Sequence, residues 1–188
     1  MIRARSAYVL AGALVLTFAL PACGGSDKDA KSADAAPVER VEHVDETIAL
    51  FKNKDPSIEK FFSTSAGYVI MPTIGEGAFI VGGGHGSGEA FEGGAYVGKV
   101  TINEVSFGAQ VGGQSYSQVI FFEKPADVKK LKDNQFQFNA EVTAVAADKG
   151  AAQGASFKDG VATFIIPKKG LMAAAAVGGQ KLDFTAAR

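Results

Sequence analysis

The sequence predicts an α+β protein in which a curled, glycine-rich antiparallel sheet, or a small barrel-like meander, is covered by N-terminal helices and one later inserted helix. Three observations predict this class. Apolar residues recur at steps of three and four between residues 38 and 62, the apolar pattern has a period of two from residue 66 onward, and thirteen of the 23 glycines fall between Gly75 and Gly113. Such a density of glycine within strands is typical of bulges, close backbone approach or strong curvature.

The first 22 residues (1–22) are predicted to be a secretory signal. Arg3 and Arg5 precede AYVLAGALVLTFAL, a stretch of fourteen mostly apolar residues that is shorter than the roughly 20 needed to span a bilayer. Removing these two arginines and no acids lowers the formal net charge from −1 to −3. Because the chain then has no global basic field, nucleic acid is not expected as a partner.

The only cysteine of the chain, Cys23, stands in the sequence LPACGG at the end of this leader. The stretch resembles the lipobox of bacterial lipoproteins. The resemblance implies cleavage before Cys23, its diacylglyceryl modification, and acylation of the new amino terminus by a fatty acid such as palmitate. The alternative is an ordinary cleaved signal that leaves a lone thiol, which cannot form an internal disulfide. We expect a lipid anchor in the bacterial cell envelope. Gly24, which is not the Asp associated with inner-membrane retention in some bacteria, favours the outer membrane facing the periplasm, with the inner membrane as the alternative.

Residues 23–37 are predicted to be the lipidated cysteine and a flexible tether, because GGSDKDAKSADAAP is too polar to bury enough surface to offset its ordering entropy. The folded domain is predicted over residues 38–188. Its first helix is indicated by an apolar stripe of Val38, Val41, Val44, Ile48 and Phe51. A second short helix begins at DPSIEKFF, where Asp55 is a suitable N-cap, Pro56 takes the first helical position, and Ile58, Phe61 and Phe62 form the buried face.

Strands are predicted in the runs GYVIMP, GAFIVGGG, EAFEGGAYVGKVTI, EVSFGAQVGG and SYSQVIFFE, at spacings typical of antiparallel pairing. A later helix is predicted in PADVKKLKDN, with Pro125 at its start and Val128 and Leu131 as its apolar face. The strand-like runs VTAVAA, GVATFIIP and GLMAAAAVGGQKLDF complete the chain.

Three ordered blocks, SAGYVIMPTIGEGAFIVGGGHGSGEAF, GAQVGGQSYSQVIFF and KKGLMAAAAVGGQKLDF, resemble the SYLF domain, also described as a lipid-binding or actin-binding domain. The resemblance covers roughly residues 38–186. Eukaryotic members bind phosphoinositide membranes and some bind actin, so the resemblance implies interaction with phospholipid headgroups. Actin binding is not carried over, because an exported lipoprotein would not ordinarily meet cytoskeletal actin.

Two glycine-rich motifs invite nucleotide-binding interpretations that we reject. In GGAYVGKVT, Gly93, Gly98 and Lys99 match part of a phosphate loop, but Val100 replaces the Ser or Thr that binds Mg²⁺ and the chain continues as strand. We interpret it as a glycine-rich strand pair with Lys99 as a solvated edge charge. GGGHGSG fails the dinucleotide fingerprint and is predicted to be a tight hairpin with glycines at positive φ, with an anion-binding turn as the alternative.

No catalytic residues, metal ligands or cofactor site are predicted. Glu39, His43 and Glu46 share one helix side and could offer metal-ligand atoms, but this spacing is equally typical of an exposed charged face. No G-x-S-x-G elbow is present in the sequence. We therefore do not expect an enzyme.

Clustered lysines are the predicted lipid-binding residues of the domain. Lys124, Lys129, Lys130 and Lys132 surround the late helix, and Lys168 and Lys169 lie in another predicted turn. Each lysine near an anionic surface contributes about 1 kcal/mol of binding free energy. The alternative is that all six are ordinary solvated charges. The predicted function is a membrane-anchored envelope lipoprotein whose domain binds phospholipid, and the second hypothesis is a structural or protein-interaction module of the envelope with an envelope protein as its partner.

Overall fold

A computed structural model describes residues 40–78, 81–107, 112–139, 144–169 and 179–187. The predicted signal, Cys23, the tether, Val38 and Glu39 lie outside these residues. The helices are α1 (Val44–Lys54), α2 (Glu59–Thr64) after a 3₁₀ turn (Pro56–Ile58), α3 (Pro125–Lys132) and α4 (Ala151–Gly154). The strands are β1 (Gly67–Ala78), β2 (Val81–Glu92), β3 (Ala95–Phe107), β4 (Gly112–Phe122), β5 (Gln137–Asn139), β6 (Ala144–Ala146), β7 (Val161–Lys169) and β8 (Gly179–Ala186).

The eight described strands form one sheet in the order β5-β8-β3-β2-β1-β4-β7-β6. All neighbouring strands are antiparallel except β6 and β7, which are parallel. The architecture confirms the predicted α+β class with a curled, mainly antiparallel sheet. The parallel pair is not part of that prediction, because an alternating apolar pattern looks the same in either strand direction.

Both faces of the sheet bury apolar side chains. On one face, which we call the α3 face, the core includes Val69, Ile102, Ile120, Leu131 and Leu182. On the other, the N-terminal face, α1 and α2 pack on the strands, and the core includes Phe51, Phe61, Phe121, Phe164 and Ile166. The alternation of side chains along each strand thus supplies two separate cores from one sheet.

A contact between two distant strands shows how strongly the sheet curls. Tyr116 on β4 donates a hydrogen bond to Oε2 of Glu104 on β3, at 2.5 Å, although β1 and β2 lie between these strands. In a flat sheet three strand spacings would hold the two backbones about 14 Å apart, with side chains standing parallel. The side chains meet because the α3 face is concave.

The first helix begins later than predicted. α1 starts at Val44, and His43 before it has a left-handed backbone with φ of 64°. Val41, predicted to lie in the helical stripe, instead precedes the helix, and its N–H donates to Oε1 of Glu89 at 2.7 Å. The left-handed backbone of His43 interrupts the helical geometry, so residues 40–43 are not part of α1.

The second helix and the later helix agree with the sequence prediction. The side chain of Asp55 accepts the N–H of Ser57 at 3.0 Å, as an N-cap does, and Pro56 opens the turn. Pro125 likewise opens α3, whose Val128 and Leu131 are buried. In both cases the signals are local, so tertiary contacts do not displace them.

The prediction of a tight turn at GGGHGSG is wrong, because this segment lies inside β2 and pairs with β1 and β3. Its glycines accommodate a bulge in β1, where Met71 and Pro72 together face Gly88. A Cβ at Gly88 would overlap the carbonyl oxygen of Ile70, and one at Gly86 would lie 2.7 Å from the carbonyl oxygen of Thr73. Close backbone approach, rather than positive φ, explains these glycines.

The hairpin turn is formed instead by Gly93 and Gly94, which have φ of 56° and 82° and connect β2 to β3. GGAYVGKVT is therefore a turn followed by a strand, in agreement with the rejection of a phosphate loop. Its Lys99 does not lie on an edge strand, because β3 runs between β2 and β8. The edge interpretation of Lys99 is wrong, since β8 comes from the far end of the chain.

Candidate functional site

Four of the predicted lipid-binding lysines come together around α3, and each lies beside a carboxylate. Lys130 contacts Asp127 at 3.0 Å and Lys124 contacts Glu123 at 3.7 Å. Lys129 pairs with Asp133, and Lys132 pairs with Glu92. We call these four lysines the α3 lysines. Their positive charge is largely offset by these neighbours, although surface pairs of this kind contribute little to stability.

Lys168 lies well away from the α3 lysines. It and Lys169 are the last two residues of β7 rather than part of a turn, and the side chain of Lys169 lies outside what the structure describes. Lys168 Nζ donates to Oγ1 of Thr73 at 2.8 Å. Val128 of α3 packs near Gly67, so Thr73 stands six residues farther along β1, a separation of about 20 Å. The six predicted lysines therefore do not form one patch.

A shallow groove of about 410 Å³ lies next to Thr73. Residues 40–43 form one wall, the β1 bulge at Pro72 and Thr73 forms the floor, and Ser87 and Lys99 complete the lining. We call it the Lys99 groove. Lys99 is half-buried, and among the described residues it forms no ion pair, in contrast to the α3 lysines.

The wall of the groove is attached to the sheet by a buried ion pair. Arg40 Nε donates to Oε1 of Glu89 at 2.6 Å, and this oxygen also accepts the Val41 N–H. The Glu89 side chain is fully buried, the Arg40 side chain is 54% exposed, and the guanidinium lies 4.3 Å from the centre of the Tyr96 ring. The hydrogen bond to Glu89 raises the pKa of Arg40, and burial raises the pKa of Tyr96. We call this contact the Arg40 clamp.

One oxygen of the clamp carboxylate has no hydrogen-bond partner among the described residues. This atom, Glu89 Oε2, is buried. Glu89 therefore depends on Arg40 and on the Val41 N–H for its stabilisation, since a buried carboxylate without a partner is costly. The sequence reasoning missed Glu89. Its position two residues before the apolar Phe91, on the same face of the strand, is the sequence pattern that indicates a buried acidic residue.

A second buried polar group, also missed, lies on the α3 face. Gln180 Nε2 donates to Glu104 Oε2 at 2.8 Å, and Gln118 Nε2 donates to Gln180 Oε1 at 2.8 Å. With Tyr116 these residues are nearly or fully buried. They bond to one another across β3, β4 and β8, so we assign this cluster to closing the curled sheet rather than to binding.

A cleft of about 290 Å³ lies between α3, β5 and the turn before β7. Phe136, Phe138 and Val161 form its apolar part, and Lys130 and Lys158 stand among the charged residues that line it. This cleft is a second candidate surface, with a mixed apolar and charged character.

The residues considered as metal ligands do not converge in the described part of the chain. His43 lies 3.9 Å from Glu42 and 3.7 Å from Glu46, with all three side chains largely exposed. No group of three His, Cys, Asp or Glu residues between 40 and 187, as far as these are described, could hold a metal ion. His85 Nδ1 lies 3.2 Å from Oδ1 of Asn103 on the exposed part of the sheet. None of the described helices is long and apolar enough to cross a membrane.

Comparison with known proteins gives two similarities. A family model described as Ysc84, Las17-binding protein actin regulator, matches residues 103–186. Beta cell expansion factor A of Aeromonas veronii is 29% identical over 137 residues, which cover 71% of this chain and 51% of that protein. The chain thus spans about half the length of this curated relative. Over residues 103–186, from within β3 to the end of β8, the chain matches the Ysc84 or SYLF family model, in agreement with the resemblance predicted from the sequence.

Proposed function

We propose that this protein is a lipoprotein of the bacterial cell envelope, anchored through Cys23, whose SYLF domain binds anionic phospholipid and acts by binding rather than by catalysis. The observation that carries the proposal is the Arg40 clamp, which attaches the start of the domain to β2 only 17 residues after Cys23. Seventeen residues reach at most about 60 Å. A tether of the predicted composition has a typical span of about 20–25 Å.

An anchor at Cys23 would therefore allow the Lys99 groove to reach the bilayer, because residues 40–43, which follow the tether closely in sequence, form its wall. Acyl chains on Cys23 would supply about 0.8 kcal/mol of binding free energy per buried CH₂, and more than one chain gives stable anchoring. The domain would then need only modest affinity of its own for headgroups. The similarity to the SYLF family supports headgroup binding by the domain, while the anchor is assigned to Cys23.

The anchor is tested by expressing the full chain in a bacterial host beside its Cys23→Ser variant. We expect the unchanged protein in the membrane fraction, with the mass of the amino-terminal peptide increased by a diacylglyceryl group and a fatty acid. The variant should carry neither addition. An unmodified Cys23 in processed protein that stays in the aqueous fraction would contradict the proposal.

Lipid binding by the domain is tested separately, on residues 24–188, which lack the anchor and contain the compact unit Ala36–Arg188. We expect this protein to float with vesicles that contain phosphatidylglycerol, and to do so less as salt is raised, because the attraction is between charges. Vesicles of phosphatidylcholine are the control. Equal flotation with both kinds of vesicle would reject headgroup recognition.

The second candidate function is a protein-interaction module of the envelope. The cleft beside β5 favours it, because β5 is a short strand at the edge of the described sheet and Phe138 there is partly exposed. A cell-envelope protein crosslinked to this cleft, together with absence of lipid binding by the domain, would favour this function over the first.

A further inference from the structure

We propose that the Lys99 groove is the headgroup site of the domain, and that Lys99 and Lys168 bind the phosphate of an anionic phospholipid there while the α3 lysines do not. This inference rests on the proposed phospholipid binding and assigns it to one surface. It changes the set of lipid-binding lysines predicted from the sequence, because that set includes Lys168 but not Lys99.

The α3 lysines differ from Lys99 and Lys168 in whether a carboxylate lies beside the ammonium group. Each α3 lysine has a carboxylate within 3.7 Å, so binding an anion there means competing with an acidic neighbour. Lys99 and Lys168 form no ion pair with the described residues, and Lys168 bonds only to a neutral hydroxyl. No carboxylate of the described residues therefore competes with a ligand for these two amines.

The acidic residues near the groove do not cancel this charge. Glu89 stands directly opposite Lys99 in the β2–β3 register, but it is buried and already paired with Arg40. Glu42 also lines the groove, and its side chain is 93% exposed and directed to solvent near His43. Lys99 in the lining, and Lys168 at the floor residue Thr73, thus remain without a carboxylate partner among the described residues.

Two hydroxyl groups in the lining of the groove can also bind an anion. Thr73 accepts the bond from Lys168, so its own O–H is still a donor, and Ser87 lines the same groove. Lys99 lines the groove, whereas Lys168 lies outside the lining and reaches the floor of the groove through its bond to Thr73. Ammonium and hydroxyl donors of this kind suit the oxygens of a phosphate, which accepts several charge-assisted hydrogen bonds at once. The bulge at Pro72 is what turns Thr73 toward this side of the sheet, since it shifts the alternation of β1 by one residue.

The position of the groove in the chain favours a lipid headgroup over free phosphate as the ligand. Its wall, residues 40–43, is the part of the described chain nearest in sequence to Cys23, and a tether of 17 residues is long enough to let the groove meet the membrane surface. A site for a free phosphate would need no such placement. We therefore assign the groove to a phosphate at the membrane surface.

The test compares two double variants of residues 24–188 that remove the same charge, Lys99→Ala with Lys168→Ala and Lys129→Ala with Lys130→Ala. Binding is measured to phosphatidylglycerol-containing and phosphatidylcholine vesicles. We expect the groove variant to lose about 30-fold in affinity, which corresponds to about 1 kcal/mol for each lysine. The α3 variant should lose less than threefold. Lys99→Arg with Lys168→Arg should keep most of the binding, which separates loss of charge from loss of structure.

Other outcomes overturn the inference in distinguishable ways. Equal losses in both double variants would show a general charge effect, and a loss confined to the α3 variant would return the site to α3. If the unchanged domain binds no vesicle, the proposed function itself fails. Inorganic phosphate is the last probe: if it binds to Lys99 and Lys168, seen in their NMR shifts, while vesicles do not, the site takes free phosphate and the lipid assignment is wrong.

Discussion

Glu89 illustrates how one residue on a strand positions the segment that precedes the first helix. Its buried carboxylate holds both Arg40 and the Val41 backbone, and so attaches the segment before α1 to β2. The same contact forms a wall of the Lys99 groove. A single acidic residue in an apolar strand position thus links the start of the domain to the candidate binding surface.

We predict that Arg40→Ala lowers the free energy of unfolding by on the order of 2 kcal/mol, because it leaves Glu89 buried with only the Val41 N–H as a partner. The value is set below that of a fully buried pair because Arg40 is half-exposed. Urea unfolding measures it.

The matched control for this prediction is Arg40→Ala combined with Glu89→Gln. The neutral amide can still accept the Val41 N–H, so the double variant should be more stable than Arg40→Ala alone. A single Arg40→Ala variant that unfolds within about 0.5 kcal/mol of the unchanged protein would contradict this account of the clamp.

At the scale of elements, the pairing of β1 with β2 depends on a bulge and on the glycines that receive it. Pro72 cannot donate to a ladder, and β1 is an interior strand, so the strand accommodates it by a bulge. Gly88 and Gly86 leave the space that the displaced backbone occupies. Glycine in this strand is therefore a packing requirement.

We predict that Gly88→Ala lowers the free energy of unfolding by at least about 2 kcal/mol, because its Cβ would meet the backbone of Ile70, which cannot move without separating β1 from β2. Gly75→Ala, in β1, is the control, since a Cβ there has no atom within 4 Å. Thermal unfolding of both variants measures the difference. Similar melting temperatures for the two variants would exclude a steric role for Gly88.

At the scale of the whole molecule, Asp55 attaches the N-terminal helices to a segment almost a hundred residues away. Its carboxylate accepts the N–H of Gly150 at 3.0 Å and that of Ala152 at 2.6 Å, in addition to capping its own turn. Burial alone would raise the pKa of Asp55, but the bonds from Ala152, Ser57 and Gly150 outweigh it and lower the pKa. The folded state therefore favours the ionised form.

This lowered pKa predicts a pH dependence of stability. The contribution of Asp55 is fully present above the pKa of an unfolded Asp, about 3.9, and is lost as the pH falls through the lower folded value. We expect Asp55→Asn to cost on the order of 1–2 kcal/mol at pH 7, and the difference from the unchanged protein to shrink below about pH 4.

Denaturant unfolding at pH 7 and pH 3 tests this dependence. Asp148→Asn is the control, because it removes the same charge from an exposed side chain near the same segment. We expect this control to match the unchanged protein at both pH values. A constant cost of Asp55→Asn across this range would show that the carboxylate charge does not matter.

The elements that depend on local signals could be predicted from the sequence. The cap at Asp55, the start of α3 at Pro125 and the alternation of the main strands are set by neighbouring residues, so they agree with the structure. The class of the fold follows from the same patterns, and the resemblance to the SYLF domain follows from the three ordered sequence blocks. These features need no knowledge of which distant segments meet.

Tertiary structure alone decided the features that depend on pairs far apart in the chain. The pairing of Lys132 with Glu92, 40 residues away, changes what the α3 lysines offer to a ligand. The addition of β8 beside β3 makes Lys99 an interior residue, and the bulge in β1 explains glycines in β2. Periodicity reports only how a segment alternates between two faces, whereas charge neutralisation and close backbone approach depend on distances that exist only after the sheet has curled.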